Sequence, residues 1–168
     1  MSQLHNIDFS EADLTSCDFR TAVFVDGGSL SLARVNNARY DEADLREALH
    51  ATWQRDTFDH LVNNAGHGDT APIAETTVAQ FDRLVDVHFK GVFFLTQALL
   101  PLIADGGRIL NVSSGLARFS LPGSSAYAMM KGGIEVFTRY LAKELGARGI
   151  SANTLAPGAI ATDFGGGR

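Results

Sequence analysis

Tyr127 and Lys131 stand four residues apart, and Ser114 lies thirteen residues upstream of the tyrosine. On a helix that spacing puts a phenol and an ammonium on one face. A free phenol titrates near ~10, and bringing it to ~7 takes about 4 kcal/mol of differential stabilisation. One positive charge about 4 Å away, at an effective dielectric of ~20, supplies about that much. The pair is therefore a candidate general acid/base near neutral pH. Ser114 is a candidate to hold a carbonyl or alcohol oxygen while the proton moves. A lone Tyr-x-x-x-Lys spacing also occurs as a surface pair, so the order of the surrounding motifs has to carry the argument.

That order is Asn63-Asn64-Ala65-Gly66, then Asn111-Val112-Ser113-Ser114, then Tyr127 with Lys131, then Pro157-Gly158-Ala159-Ile160-Ala161-Thr162. With these four signatures in sequence, residues 56–164 resemble the middle and later part of a short-chain dehydrogenase/reductase. The resemblance implies NAD(P)-dependent interconversion of an alcohol and a carbonyl, with NAD or NADP as cofactor and a small-molecule substrate. Ser114 would orient the substrate oxygen and Tyr127 would donate or accept its proton. Lys131 would lower the tyrosine pKa and hold the nicotinamide ribose. The turn containing Asn63, Ala65 and Gly66 would pass close to the adenosine side, where small residues permit the approach, and its asparagine would brace the sheet. Pro157, Gly158, Ile160 and Thr162 would lie over the nicotinamide. His88 stands where the family usually has an asparagine that closes a proton relay. It reads either as a substitute relay, since imidazole also passes protons, or as a satisfied core histidine.

The elements that must position these residues alternate. Asp41 to Gln54 reads as a helix with Asp41 as N-cap. Phe58 to Asn63 reads as a strand, and Thr77 to Ile103 as one long helix with Phe81, Leu84, Val85, His88, Phe89, Val92, Phe93 and Leu95 in a wide apolar band. Pro101 is expected to tighten its last turn. Arg108 to Ser113 reads as a strand, Ser125 to Gly146 as a second long helix with Gly146 as C-cap, and Ile150 to Leu155 as a third strand. Strand–helix alternation implies a parallel sheet with crossover helices. The fold class is α/β, a partial Rossmann-like parallel sheet flanked by helices, and its ligands should sit past the carboxyl ends of the strands.

Residues 1–46 follow another rhythm. Phe9, Leu14, Phe19 and Phe24 recur every five positions, and after a slip Leu30, Val35, Tyr40 and Leu45 continue the series. A five-residue period fits neither helix nor strand. It resembles a pentapeptide repeat, a square right-handed β-helix in which eight units make about two coils. The other reading is a degenerate first strand, Thr21 to Val25, followed by Asp26-Gly27-Gly28. The expected organisation is a five-residue-periodic segment over 1–46, β-helix-like or irregular, and the α/β unit over 47–168.

The 168 residues carry a net charge of −5, which argues against nucleic-acid binding. A single cysteine, Cys17, suits a reducing, cytoplasmic setting. The longest apolar stretch, residues 91–104, is too short to span a bilayer. His50, His60 and His67 show no metal-ligand spacing, so no metal is expected. The apolar surplus of the two long helices predicts pairing with a second copy, as in the resembled family. Departures from the family pattern also count. Gly27-Gly28 is followed by no glycine until Gly66, so the glycine-rich phosphate turn is not recognisable. The motifs that would follow Thr162 are missing as well, so the chain reads as truncated at both ends. Loss of the pyrophosphate contacts, each worth roughly 1.5–3 kcal/mol, would weaken cofactor binding and impair activity. The rival reading is a catalytically inactive remnant or a protein-interaction module.

Overall fold

The computed structural model describes residues 2–5, 22–25, 46, 47, 50 and 54–159. Most of the five-residue-periodic segment, most of the expected 41–54 helix, and Ile160 and Thr162 lie outside the described residues. Residues 46, 47 and 50 are helical, in keeping with that expected helix. Strands β1 (Ser2–His5) and β2 (Ala22–Val25) pair in parallel, Ser2 with Ala22 and Leu4 with Phe24. Their register offset is four five-residue units.

A three-stranded parallel sheet of order β3-β4-β5 is built from β3 (Phe58–Asn63), β4 (Ile103–Val112) and β5 (Ser151–Leu155). Alternation sets its faces. Leu61 and Asn63 on β3, and Ile109 and Asn111 on β4, are buried, whereas Val62 between the first two is 56% exposed. Leu61, Ile103, Ile109, Leu141, Leu145 and Ile150 form the main apolar cluster. Each fully buried side chain of this kind stabilises by about 1.5–3 kcal/mol.

The first long helix differs from its sequence expectation. Thr77 caps it: its hydroxyl accepts from the Gln80 amide at 3.2 Å, and Gln80 Oε1 accepts from the Thr77 amide at 3.0 Å, a reciprocal cap of about 1 kcal/mol. Helix α1 (Val78–Val85) then widens into a π-helical turn at Asp86–Gly91 before α2 (Val92–Leu99) resumes. The wider turn re-aims the surface, so the continuous apolar band is corrected to two faces. Leu84, Val87 and His88 point inward, while Phe93 and Phe94 are exposed. Pro101 sits in a tightened 3-10 turn, Leu100–Leu102, as expected.

Strand β4 also starts earlier than its sequence suggests, at Ile103 instead of Arg108. Its Asp105-Gly106-Gly107 stretch, expected to precede the strand, is a bulge that remains in the strand, and the β3 pairing shifts between Phe58 and His60. A Cβ on Gly107 would meet the Ile103 side chain at 2.7 Å and the Asp59 carbonyl at 2.9 Å, so the bulge closes only on glycine. The Arg148 guanidinium holds this corner, donating to the Leu100 carbonyl at 2.9 Å, to Asp105 Oδ1 at 2.8 Å and to the Ile103 carbonyl.

Helix α3 (Ser125–Glu144) packs across the sheet. Its C-cap is Leu145, not Gly146. A 3-10 turn follows, and the left-handed residue is Gly149, at φ 65°. Among the described residues no helix is long and apolar enough to cross a membrane.

Candidate active site

The ends of β3, β4 and β5 are tied together just where the motifs lie. The Ser113 amide donates to the Leu155 carbonyl at 2.7 Å, and the Gly115 amide to the Pro157 carbonyl at 2.8 Å. This brings the half-buried Ser114 beside the Pro157-Gly158 loop. Pro157 is half-buried and Gly158 exposed.

Beneath this edge runs a buried polar ladder. Asn63 Nδ2 donates to Asn111 Oδ1 at 2.7 Å and to Thr96 Oγ1 at 3.0 Å. Asn111 Nδ2 donates to Thr138 Oγ1 at 2.9 Å, and that hydroxyl donates to the Ile134 carbonyl at 2.7 Å. The ladder joins β3, β4, α2 and α3, and buried polar groups of this kind are costly to leave unpaired. The Asn63 side chain is thus committed to bracing the sheet. Sequence reading missed Thr96 and Thr138. The alternation of Asn111 and Ser113 along one strand face was the signal that a polar partner had to face them.

Tyr127 and Lys131 share the inner face of α3, and both are buried. Ser114 accepts from the Leu116 amide at 3.2 Å and shares a side-chain hydrogen bond with Tyr127. Lys131 Nζ donates to the Val112 carbonyl at 2.9 Å and lies 5.5 Å from the centroid of the Tyr127 ring. The three groups expected from spacing therefore converge.

The expected electrostatics need correction. Burial pushes the Tyr127 phenol above its ordinary value, and the Ser114 hydrogen bond opposes this only in part. The ammonium stands over the ring and is tied to the Val112 carbonyl, and it is not among the causes that set the phenol's shift. Burial also lowers Lys131 to about 8, which weakens its hold on a positive charge.

His88 is 1% exposed. Its ring meets the Tyr127 ring edge-on at a centroid distance of 5.3 Å, and Nε2 is 2.9 Å from the His67 carbonyl. A carbonyl only accepts, so Nε2 carries the hydrogen and Nδ1 presents a lone pair. Nδ1 is buried without a hydrogen-bond partner. Burial, and then the Lys131 charge, lower His88 to about 3, so the ring is neutral at pH 7. Gly66 fits closely against this group: a Cβ there would lie 2.8 Å from His88 Cε1, 3.4 Å from Nδ1 and 3.8 Å from Lys131 Nζ. Ala65, next to it, is half-buried. The Asn63–Gly66 turn, His88, Lys131, Tyr127 and Ser114 form one cluster past the strand ends. Among the described residues no group of three or more His, Cys, Asp or Glu side chains could hold a metal ion.

This donor set, two hydroxyls and an ammonium at the carboxyl edge of a parallel sheet, fits the polar half of a nicotinamide nucleoside. The segment that would meet a pyrophosphate lies outside the described residues.

Comparison with known proteins identifies the family. A family model described as enoyl-(acyl carrier protein) reductase matches residues 37–168. The chain is 31% identical to a 3-oxoacyl-[acyl-carrier-protein] reductase of Synechocystis sp., over 94% of this chain and 64% of that protein. Among solved structures it is similar to a dehydrogenase/reductase from Sinorhizobium meliloti 1021, with TM-score 0.68 and 30% identity over 87% of this chain and 65% of the other. It is also similar to the landomycin C-6 ketoreductase LanV with bound NADP and rabelomycin, with TM-score 0.67 and 35% identity over 77% and 58%. The chain spans about half to two thirds of the length of the curated relatives it matches. The chain belongs to the short-chain dehydrogenase/reductase family.

Proposed function

We propose that the protein is an NAD(P)-dependent oxidoreductase that interconverts an alcohol and a carbonyl on a small molecule. The observation that carries this reading is the convergence of the half-buried Ser114 with the buried Tyr127 and Lys131 past the end of β4. Relatives whose structures hold NADP or NADPH support the cofactor class. When bound, the nicotinamide supplies or takes up hydride. Lys131 and Tyr127 would hold its ribose, with the backbone of Asn63, Ala65 and Gly66 on the adenosine side and Pro157, Gly158, Ile160 and Thr162 on the nicotinamide side.

In reduction, the Ser114 hydroxyl donates a hydrogen bond to the substrate carbonyl oxygen. The Tyr127 O–H gives its proton to that oxygen as negative charge develops there, and oxidation reverses the transfer. A raised phenol pKa keeps Tyr127 protonated and ready to act as the acid. Lys131 stabilises the phenolate left behind. His88 stays neutral, and the lone pair on its unpartnered Nδ1 can accept a hydrogen bond at the inner end of a relay.

Three finer assignments belong to the same reading. Phe93 and Phe94 on α2, with Val136 and Tyr140 on α3, form an exposed apolar surface, made continuous by the 5.2 Å contact of Phe93 with Phe137. It suits a second copy of the chain, and a strictly monomeric mass in solution would overturn that. The single Cys17 supports a cytoplasmic setting. For residues 1–46 as a separate five-residue-periodic unit, the support is the β1–β2 offset of four such units.

The test is titration of the full chain with NADPH and NADH, followed by nicotinamide fluorescence, and then turnover on simple ketones. Saturable binding is expected. Tyr127→Phe should keep saturable cofactor binding, weakened at most modestly, while turnover falls at least about a hundredfold. No saturable binding up to millimolar cofactor, or full turnover by the phenylalanine variant, refutes the reading.

A further inference from the structure

Glu135 lies one turn beyond Lys131 on α3 and has no part in the chemistry described above. Its carboxylate receives both flanks of the serine turn. On one side the buried Ser113 hydroxyl lies 3.1 Å from Glu135 Oε1 and 3.0 Å from the Lys131 carbonyl. On the other, Arg118 Nη2 is 3.5 Å from each carboxylate oxygen. Ser114 sits between these attachments, at the head of the 3-10 turn Gly115–Ala117 that leads to Arg118. Its own hydroxyl accepts from the Leu116 amide inside that turn. Helix α3 therefore carries Tyr127 and Lys131, and four residues later the group that fixes the loop facing them. The Glu135 side chain is largely buried while Arg118 is well exposed. The Ser113 hydroxyl shares its one hydrogen between the carboxylate and the Lys131 carbonyl, both on α3, and the arginine contributes the modest share of an exposed ion pair.

We infer that Glu135 is a positioning residue, clamping the Ser113–Arg118 turn to α3 so that the Ser114 hydroxyl stays in hydrogen-bonding reach of Tyr127. The kinetic part of this inference rests on the oxidoreductase reading; the structural part does not.

The test uses Glu135→Ala and Glu135→Gln in the full chain, and reads the Tyr127 phenol by ultraviolet titration of tyrosinate. Tyr127→Phe identifies its share among the three tyrosines. Deleting a nearby carboxylate would by itself make a phenol ionise more easily and move its titration down. Loss of the Ser114 hydrogen bond moves it up. Glu135→Ala is expected to raise the Tyr127 titration by about one pH unit, the size of one hydrogen bond. It should also lower kcat about tenfold with KM within about twofold. Glu135→Gln keeps an acceptor for the Ser113 hydroxyl and should restore both to near wild type. If Glu135→Ala does not fold, Ser113→Ala, which breaks the same attachment without changing any charge, should give a smaller upward shift. A Tyr127 titration that stays put or falls in the variant measured overturns the inference. Wild-type protein without turnover, but with the upward shift in Glu135→Ala, would refute the oxidoreductase reading and leave the clamp standing.

Discussion

Protonating His88 should be one of the main routes by which acid destabilises this fold. The ring is 1% exposed, packed edge-on against Tyr127 and beside the Lys131 ammonium, with His67 as its other neighbour. Burial and that positive charge lower its pKa from 6.5 to about 3. The unfolded chain takes up the proton near pH 6.5, whereas the folded chain resists until about pH 3. Across that window the unfolded state holds the extra proton, so stability is lost as pH falls. Each pH unit costs at most about 1.4 kcal/mol from this group, and the full difference is roughly 5 kcal/mol. By pH 5 the loss is about 2 kcal/mol, a large share of a typical domain's stability. His88→Asn removes the titrating group and keeps an amide that can donate to the His67 carbonyl. Urea unfolding of wild type and variant at pH 7 and pH 5 isolates the effect, because every other titrating group is shared. The advantage of wild type over His88→Asn should shrink by about 2 kcal/mol between the two pH values. A difference constant to within about 0.5 kcal/mol would show that the ring is not held neutral by its surroundings.

Three further outcomes follow from the same cluster. Gly66→Ala places a Cβ 2.8 Å from His88 Cε1 and should destabilise by about 1–3 kcal/mol through overpacking. Combining it with His88→Ala should recover part of that loss, and additive urea midpoints would contradict the contact. Asn111→Ala breaks the ladder on two sides and should cost about 2–4 kcal/mol, seen as a lower denaturant midpoint with an unchanged m-value. Lys131→Met removes a charge that burial has lowered to about 8 from 10.5. Between those values the unfolded chain holds the extra proton, so wild type gains stability as pH rises through the window. Below pH 8 the buried charge opposes folding by roughly 3 kcal/mol, less what its bond to the Val112 carbonyl returns. The variant should therefore melt higher than wild type at pH 7, and that margin should narrow by pH 10.

The parts of this site that could be read from sequence are those set by period and by strand ends. Strand β3 begins and ends where its alternation implies, and α3 begins at Ser125. Tyr127 and Lys131 had to share a face because four residues make about one turn. Ser114 and Pro157 had to lie near each other because parallel strands deliver their carboxyl ends to one edge. What could not be read depends on events one residue long. The π-helical turn at Asp86–Gly91 follows no composition rule, yet beyond it Phe93 and Phe94 are exposed, while Leu84, Val87 and His88, at ordinary helical spacing, face inward. A regular helix from Thr77 to Ile103 would have kept the apolar side chains on one stripe. The Gly106-Gly107 bulge has the residues of a turn, and only the pairing with β3 keeps it within a strand.

The phenol of Tyr127 shows why motif and mechanism have to be argued separately. Its spacing from Lys131 correctly implied proximity, and proximity suggested a lowered pKa. The same helix face that brings the two together also buries both. Burial opposes the charged form of each group, raising the phenol and lowering the ammonium. A charge that is itself driven toward neutrality is a weak stabiliser of its neighbour. The ammonium's hydrogen goes to the Val112 carbonyl, and the tyrosine's nearest polar support is Ser114. In this protein the residue that most directly favours proton loss from Tyr127 is thus the serine facing it across the cleft. Its position depends in turn on how firmly the β4–α3 turn is held against the helix. Spacing along α3 could reveal the acid, but the strength of that acid is set first by its burial and then by a loop that comes before it in the chain.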